Sequence, residues 1–125
     1  MATKYTDKEL LEFKKLLEDK YQENLDQIKY MKEHLVEITE SGKDENSMEN
    51  SSYNLQVEQL LESISRINKY NQLVVNALTR IKNNVYGICA ETGEKIDTQR
   101  LKAVPTTTLS IKGKQIRELK SWHHE

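Results

Sequence analysis

The sequence predicts a mainly α-helical protein. A long antiparallel coiled-coil hairpin covers residues 1–85, with a tip loop near 40–52. A small degenerate zinc knuckle closed by a C-terminal helix covers 86–125. Three observations predict this. Two long stretches carry apolar side chains at intervals of three or four, the period of helices packed along a seam. Three of the four glycines, the only proline and the only cysteine fall together between residues 85 and 114. Only 36% of the chain is hydrophobic while 31% is charged, a balance that suits elongated helices better than a compact globule.

The first helix has a legible start. Thr6-Asp7-Lys8-Glu9 is a capping box, in which the threonine oxygen accepts from the backbone of Glu9 and the glutamate reaches back. The helix is expected to run to about Thr39. Its seam is Leu10, Phe13, Leu17, Tyr21, Leu25, Ile28, Met31, Leu35 and Ile38, with Asn24 close beside it. Residues 40–52 are small, polar and acidic with a single apolar side chain, Met48, the composition of a loop.

The second helix is expected from about Tyr53 to Val85. Val57, Ile64, Asn71, Leu78 and Val85 form one heptad position, and Leu60, Ile67, Val74 and Ile81 the other. If the turn centres near residues 47 and 48, position 24 faces position 71. Both are asparagine, so the register predicts that Asn24 and Asn71 meet. A polar pair in a seam lowers stability but fixes alignment, because slippage would set an amide against an aliphatic side chain.

Beyond Val85 the pattern changes. Cys89-x2-Thr92, seventeen residues, then Ser110-x2-Gly113 has the spacing of a four-cysteine zinc site. Only the first position is a cysteine, and neutral hydroxyls or a glycine do not replace thiolates. The expectation is a knuckle without metal, held by Ile88, Ile96, Leu101, Leu109 and Ile116 and by the Thr92 and Ser110 hydroxyls bonding to the backbone. Thr106, Thr107 and Thr108 are candidate caps for a last helix beginning near Leu109, weakened by Gly113. Leu109, Ile116 and Leu119 share one face of it, expected to pack against the base of the hairpin, with Trp122 extending the contact and Ile111 off that stripe.

The quoted residues Tyr86-Gly87-Ile88-Cys89, Thr92-Gly93-Glu94, Arg100-Leu101, Ala103, Pro105 and Thr108-Leu109-Ser110 resemble the C-terminal signature of the DksA/TraR transcription regulators, and most closely the members lacking most zinc ligands. The resemblance implies a bacterial regulator that binds RNA polymerase rather than promoter DNA. It would insert the hairpin tip into the secondary channel and shift initiation. Counting back from Cys89, the family's two tip aspartates and nearby alanine fall on Asn46, Glu49 and Ser51, with Asp44 and Glu45 close by. The resemblance also implies a ppGpp site at the polymerase interface. Its basic positions fall on Leu73, Val104 and Lys114, and only Lys114 keeps a charge. Strong ppGpp synergy is therefore not expected, and Lys114, with Lys112 and Arg117, is assigned to a polymerase or nucleotide contact.

Other functions are weakly supported. His34, His123 and His124 lack partners at catalytic or metal-ligand spacing, Cys89 has no histidine to activate it, and no phosphate-cradling loop is present; no enzyme activity is expected. A net charge of −1 offers little affinity for DNA by counterion release. One cysteine excludes an internal disulfide and fits a reducing cytoplasm. No stretch approaches the roughly 20 apolar residues that cross a bilayer. Between Glu37 and Glu62 there are seven acidic residues and one basic, whereas between Lys95 and Ser121 there are seven basic and two acidic. Such separation orients an encounter. The alternatives are a transcript-cleavage factor acting in the same channel and a structural or adaptor coiled coil without polymerase binding. A DNA-binding zinc finger ranks last.

Overall fold

The computed structural model describes residues 2–41 and 51–122. Four helices occupy them: α1, Asp7–Ser41; α2, Ser51–Lys82; α3, Thr98–Ala103; and α4, Ile111–Trp122. The described residues contain no strand, only an isolated antiparallel bridge between Ile88 and Lys95. The chain forms two compact units, Lys20–Gln72 and a second made of Met1–Asp19 with Leu73–Glu125.

The unit Lys20–Gln72 is an antiparallel helix pair. Its seam buries Ile28 and Ile64 and half-buries Met31, Leu35, Ile38, Val57, Leu60 and Ile67, as the heptad pattern predicts. The asparagines meet as the register requires: Asn24 Nδ2 donates to Asn71 Oδ1 at 2.7 Å, and Asn71 Nδ2 donates to the carbonyl of Tyr21 at 3.3 Å. One seam assignment changes. Leu25 is 39% exposed while Asn24 is half-buried, so the seam passes through the amide and Leu25 turns outward.

The pair makes a mutational prediction. Asn24→Ala is expected to lower stability by about 1–3 kcal/mol, because Oδ1 of the buried Asn71 loses its donor. Asn24→Leu/Asn71→Leu is expected to recover that loss, since two aliphatic groups leave nothing unsatisfied. Urea unfolding of the wild type, Asn24→Leu, Asn71→Leu and the double variant measures the coupling. Additive single effects would show that the two amides do not act together.

The other unit is built around Leu17, Val74, Tyr86, Ile96 and Leu101, each fully buried. Fully burying one such apolar side chain contributes roughly 1.5–3 kcal/mol. Phe13 joins Tyr5 edge-on at 5.3 Å between centroids and Tyr86 at 5.4 Å. The capping box forms as read: Glu9 N–H donates to Thr6 Oγ1 at 3.2 Å, and Thr6 N–H to Glu9 Oε1 at 3.0 Å.

The second helix stops at Lys82 rather than Val85. Asn84 sits in the left-handed region at φ 61°. Its N–H bonds to the Ile81 carbonyl and the Val85 N–H to the Arg80 carbonyl, which closes the helix as a Schellman motif with asparagine in place of glycine. Val85 is half-buried beyond that stop.

Candidate functional site

After the stop, residues 86–110 form a knuckle. Gly87 has φ 82°, a conformation that costs glycine little. A Cβ there would lie 2.5 Å from Tyr5 Cε2, so the glycine also makes room for the tyrosine ring. The Cys89 N–H bonds to the Glu94 carbonyl and the Gly93 N–H to the Cys89 carbonyl, each at 2.8 Å. This closes the turn that carries Cys89 and Thr92. The following loop is pinned by three side chains. Tyr86 Oη donates to the Pro105 carbonyl at 2.7 Å, Arg80 to that of Thr106 at 3.2 Å, and Arg100 Nε to that of Leu109 at 2.7 Å.

The structure brings the spaced positions together. Cys89 is buried. Its Sγ accepts from the Ser110 N–H at 3.3 Å and from Ser110 Oγ at 3.4 Å. Gly113 faces the same sulfur so closely that an added Cβ would overlap it. Gly113, read as weakening the first turns of the last helix, is a point of close contact: only a residue without a side chain lets α4 approach the thiol. Ser110 Oγ also accepts from the Gly113 N–H at 3.0 Å. Ser110, not a threonine at 106–108, thus caps α4, and the helix begins at Ile111. Thr107 instead stabilises the loop, with Oγ1 accepting from the Leu109 N–H.

Burial pushes the Cys89 thiol up, but hydrogen bonds from the side chains and backbone of Ser110 and Thr92 outweigh it and bring the pKa to about 6. The unfolded value is about 8.5. The stability contributed by this thiolate is thus present above pH ~8.5 and is lost as pH falls through about 6. Thermal unfolding between pH 5.5 and 9 is expected to show this slope in the wild type and a flatter one in Cys89→Ala. Identical slopes would remove the thiolate from the account.

A four-cysteine zinc site needs four thiolates around the metal. Here one thiol remains, and both hydroxyls already accept from the backbone, Ser110 from Gly113 and Thr92 from Glu94. The fourth position offers no donor atom. No group of three or more histidine, cysteine, aspartate or glutamate side chains able to hold a metal occurs among the described residues. The donor set does not fit zinc.

Two arrangements around the knuckle were not anticipated from sequence. The N-terminal segment is strapped to it: Thr3 N–H bonds to the Asn84 carbonyl at 2.6 Å, Thr3 Oγ1 to the Tyr86 carbonyl at 2.5 Å, and Tyr5 Oη to the Ile96 carbonyl. Lys95 Nζ lies 4.4 Å from the centre of the Tyr5 ring. Glu91 is clamped by Lys120 and by Arg117, the latter at 3.4 Å. Hydrogen bonding to Lys120 leads the influences that hold its carboxyl below the usual range. Arg117, assigned from sequence to an outside contact, is engaged within the protein.

Asp44, Asn46, Glu49 and Glu45 lie outside the described residues; Ser51 opens α2, with its side chain outside them. Lys112 and Lys114 are exposed on α4, and Leu73 and Val104 are exposed apolar residues. His34 is an exposed neighbour of Glu37 at 3.7 Å and stacks on Tyr30.

Comparison with known proteins extends the geometry. Residues 85–118 match the family model of the prokaryotic dksA/traR C4-type zinc finger. The chain is 31% identical over 118 residues to the RNA polymerase-binding transcription factor DksA of Caulobacter vibrioides, matched in two strains, covering 94% of this chain and 82% of the relative. The structure of transcription factor DksA2 from Pseudomonas aeruginosa superposes with a TM-score of 0.85 at 31% identity, over 94% of this chain and 88% of that one. With a finger matched in sequence, a helical hairpin matched in structure and a relative aligned along nearly the whole chain, this protein belongs to the DksA/TraR family.

Proposed function

We propose that this chain binds bacterial RNA polymerase and regulates transcription initiation through the secondary channel. One observation carries the reading: the similarity to an RNA polymerase-binding relative spans 94% of the chain, so it includes both long helices and not the finger alone. Such a factor acts in the cytoplasm and as a regulator rather than an enzyme. The tip would bring Glu49 toward the active centre, with Asn46 and Ser51 beside it and Asp44 and Glu45 in reserve. A carboxylate there can address the catalytic magnesium, a hard cation that prefers oxygen ligands. The near-neutral charge of −1 favours a protein partner over promoter DNA.

The knuckle works in this reading without zinc, since its donor set does not fit the metal. A nucleotide such as ppGpp at the interface would meet Lys114 alone among the three family positions, and a highly anionic ligand needs several donors. Synergy is expected to be weak.

The experiment is competition. The wild type is expected to displace a transcript-cleavage factor from core RNA polymerase and to shorten the life of open promoter complexes. Glu49→Ala is expected to keep the binding and lose the effect on open complexes. Absence of competition would overturn the reading. RNA cleavage in a backtracked complex would move the protein to the cleavage-factor class.

A further inference from the structure

The helix pair of the unit Lys20–Gln72 carries its exposed apolar side chains on one flank of the seam. In an antiparallel pair the e positions of both helices share one flank and the g positions the other. The g flank holds Gln27, His34, Gln56, Ser63 and Tyr70. The e flank holds Leu25 and Leu61, 39% and 51% exposed, and beside them Val36, 58% exposed, with Lys32 and Asn68 between. An open groove of about 430 Å³ runs along it, lined by Leu25, Ile28, Lys29, Lys32, Glu33 and Val36. Charge divides across the same flank: Lys29 and Lys32 on α1, Glu58 and Glu62 on α2, all four exposed. Among the described residues none of the four joins an ion pair within the chain.

We infer that this flank is a self-association surface, on which a second copy of the chain packs in parallel, α1 of each copy against α2 of the other. The inference goes beyond the proposed function and does not depend on it. The Asn24–Asn71 bond sets the levels along the pair. Leu61 stands level with His34, between Lys32 and Val36, while Glu62 is level with Glu33 and Glu58 with Glu37. A two-fold axis running along the pair keeps these levels and exchanges the helices, so one patch serves both copies. Val36 of each copy then meets Leu61 of the other. Lys29 and Lys32 come within about one turn of Glu62 on the second copy, and Lys32 within about a turn and a half of its Glu58. At the rim Asp26 comes level with Lys69, and Glu33 with Glu62, where Lys29 one turn away offsets the like charges. The opposed two-fold, across the pair, would set Leu25 on Val36 but Lys29 on Lys32, like charge on like. A bilayer calls for a polybasic cluster, and phosphates would be repelled by the same glutamates. A foreign helix would have to supply both the acidic and the basic complements that a second copy supplies by symmetry. Three aliphatic side chains per copy make a small apolar centre, so the dimer is reversible and depends on concentration.

Charge exchange tests the pairing. Sedimentation velocity of the full chain, from about 1 to about 200 μM, is run on the wild type, Leu61→Lys, Lys29→Glu/Lys32→Glu and Glu58→Lys/Glu62→Lys. All these positions are exposed, and circular dichroism verifies that the variants fold. The wild type is expected to pass from one chain to two as concentration rises. Each variant alone is expected to dimerise about tenfold more weakly or less, with the effect of the charge changes shrinking at high salt. An equimolar mixture of the two charge variants is expected to regain the dimer, because each then faces its complement on both helices. Cys89 is buried, so introduced thiols report the packing: Val36→Cys mixed with Leu61→Cys is expected to form a disulfide between copies. A wild type that stays monomeric at every concentration would overturn the inference and leave the flank to a different protein. Charge variants that associate like the wild type would overturn it as well. A mixed disulfide of Val36→Cys with Leu25→Cys, and none with Leu61→Cys, would overturn the parallel packing.

Discussion

The variant Thr92→Cys/Ser110→Cys/Gly113→Cys is expected to bind one zinc per chain and to fold in a metal-dependent way, while the wild type unfolds at the same temperature with or without chelator. The wild-type knuckle already gathers these positions about Cys89: Ser110 bonds to its sulfur from both backbone and side chain, Thr92 contributes hydrogen bonds to it, and Gly113 abuts it. Three effects compete in the variant. A side chain at 113 crowds Cys89, at about 1–3 kcal/mol for an overpacked site. Loss of the Ser110 cap costs about 1 kcal/mol more. Zinc binding supplies roughly 10 kcal/mol or more of apparent free energy. The metal-free variant should therefore melt below the wild type and the zinc-loaded variant above it. Metal content after chelator competition, together with calorimetric unfolding, checks both halves. A variant that retains no zinc would mean that the four positions do not converge on a tetrahedral point.

The second large effect is expected at Tyr5. Its ring is buried, meets Phe13 edge-on, lies beneath Lys95 and occupies the space left by Gly87. Its hydroxyl bonds to the Ile96 carbonyl. Tyr5→Ala removes an aromatic side chain from a packed site and is expected to cost about 3–5 kcal/mol. Tyr5→Phe keeps the ring and leaves the carbonyl without its donor, at about 1–3 kcal/mol. Calorimetric unfolding is expected to rank wild type, Tyr5→Phe and Tyr5→Ala in that order of falling stability. Equal melting of all three would show that the strap contributes nothing to the knuckle.

These predictions differ in how far sequence alone leads to them. Spacing identified Cys89, Thr92, Ser110 and Gly113, because a ligand pattern survives as a backbone path after its donors are gone. Heptad phase identified the Asn24–Asn71 contact, because two seams and one turn determine the register. The capping box at Thr6 is a local code and was equally legible. Tyr5 was not. Its hydroxyl reaches a carbonyl 91 residues away, and no periodicity links a segment before the first helix to a loop near the end. The short helix α3 also gave no signal: it has six residues, and Asp97 makes no side-chain capping bond. The stop at Asn84 was available in the Asn83-Asn84 pair, but heptad phase carried on through Val85 and hid it. Leu119 and Trp122, expected to pack against the base of the hairpin, are instead exposed, since shared helical phase marks a face without saying what covers it. The knuckle is thus the part of the site where sequence and structure coincide. The tip assignments rest on the family relationship alone.

The asparagine lock also restricts which insertions and deletions this chain can accept. Asn24 and Asn71 are joined by 47 positions of chain. Removing a few residues from one helix would rotate every later side chain out of phase, whereas excising one heptad from each helix would return the same faces to one another. The span beyond the lock can therefore shorten or grow in matched seven-residue steps, and homologues of different length should differ by such paired increments.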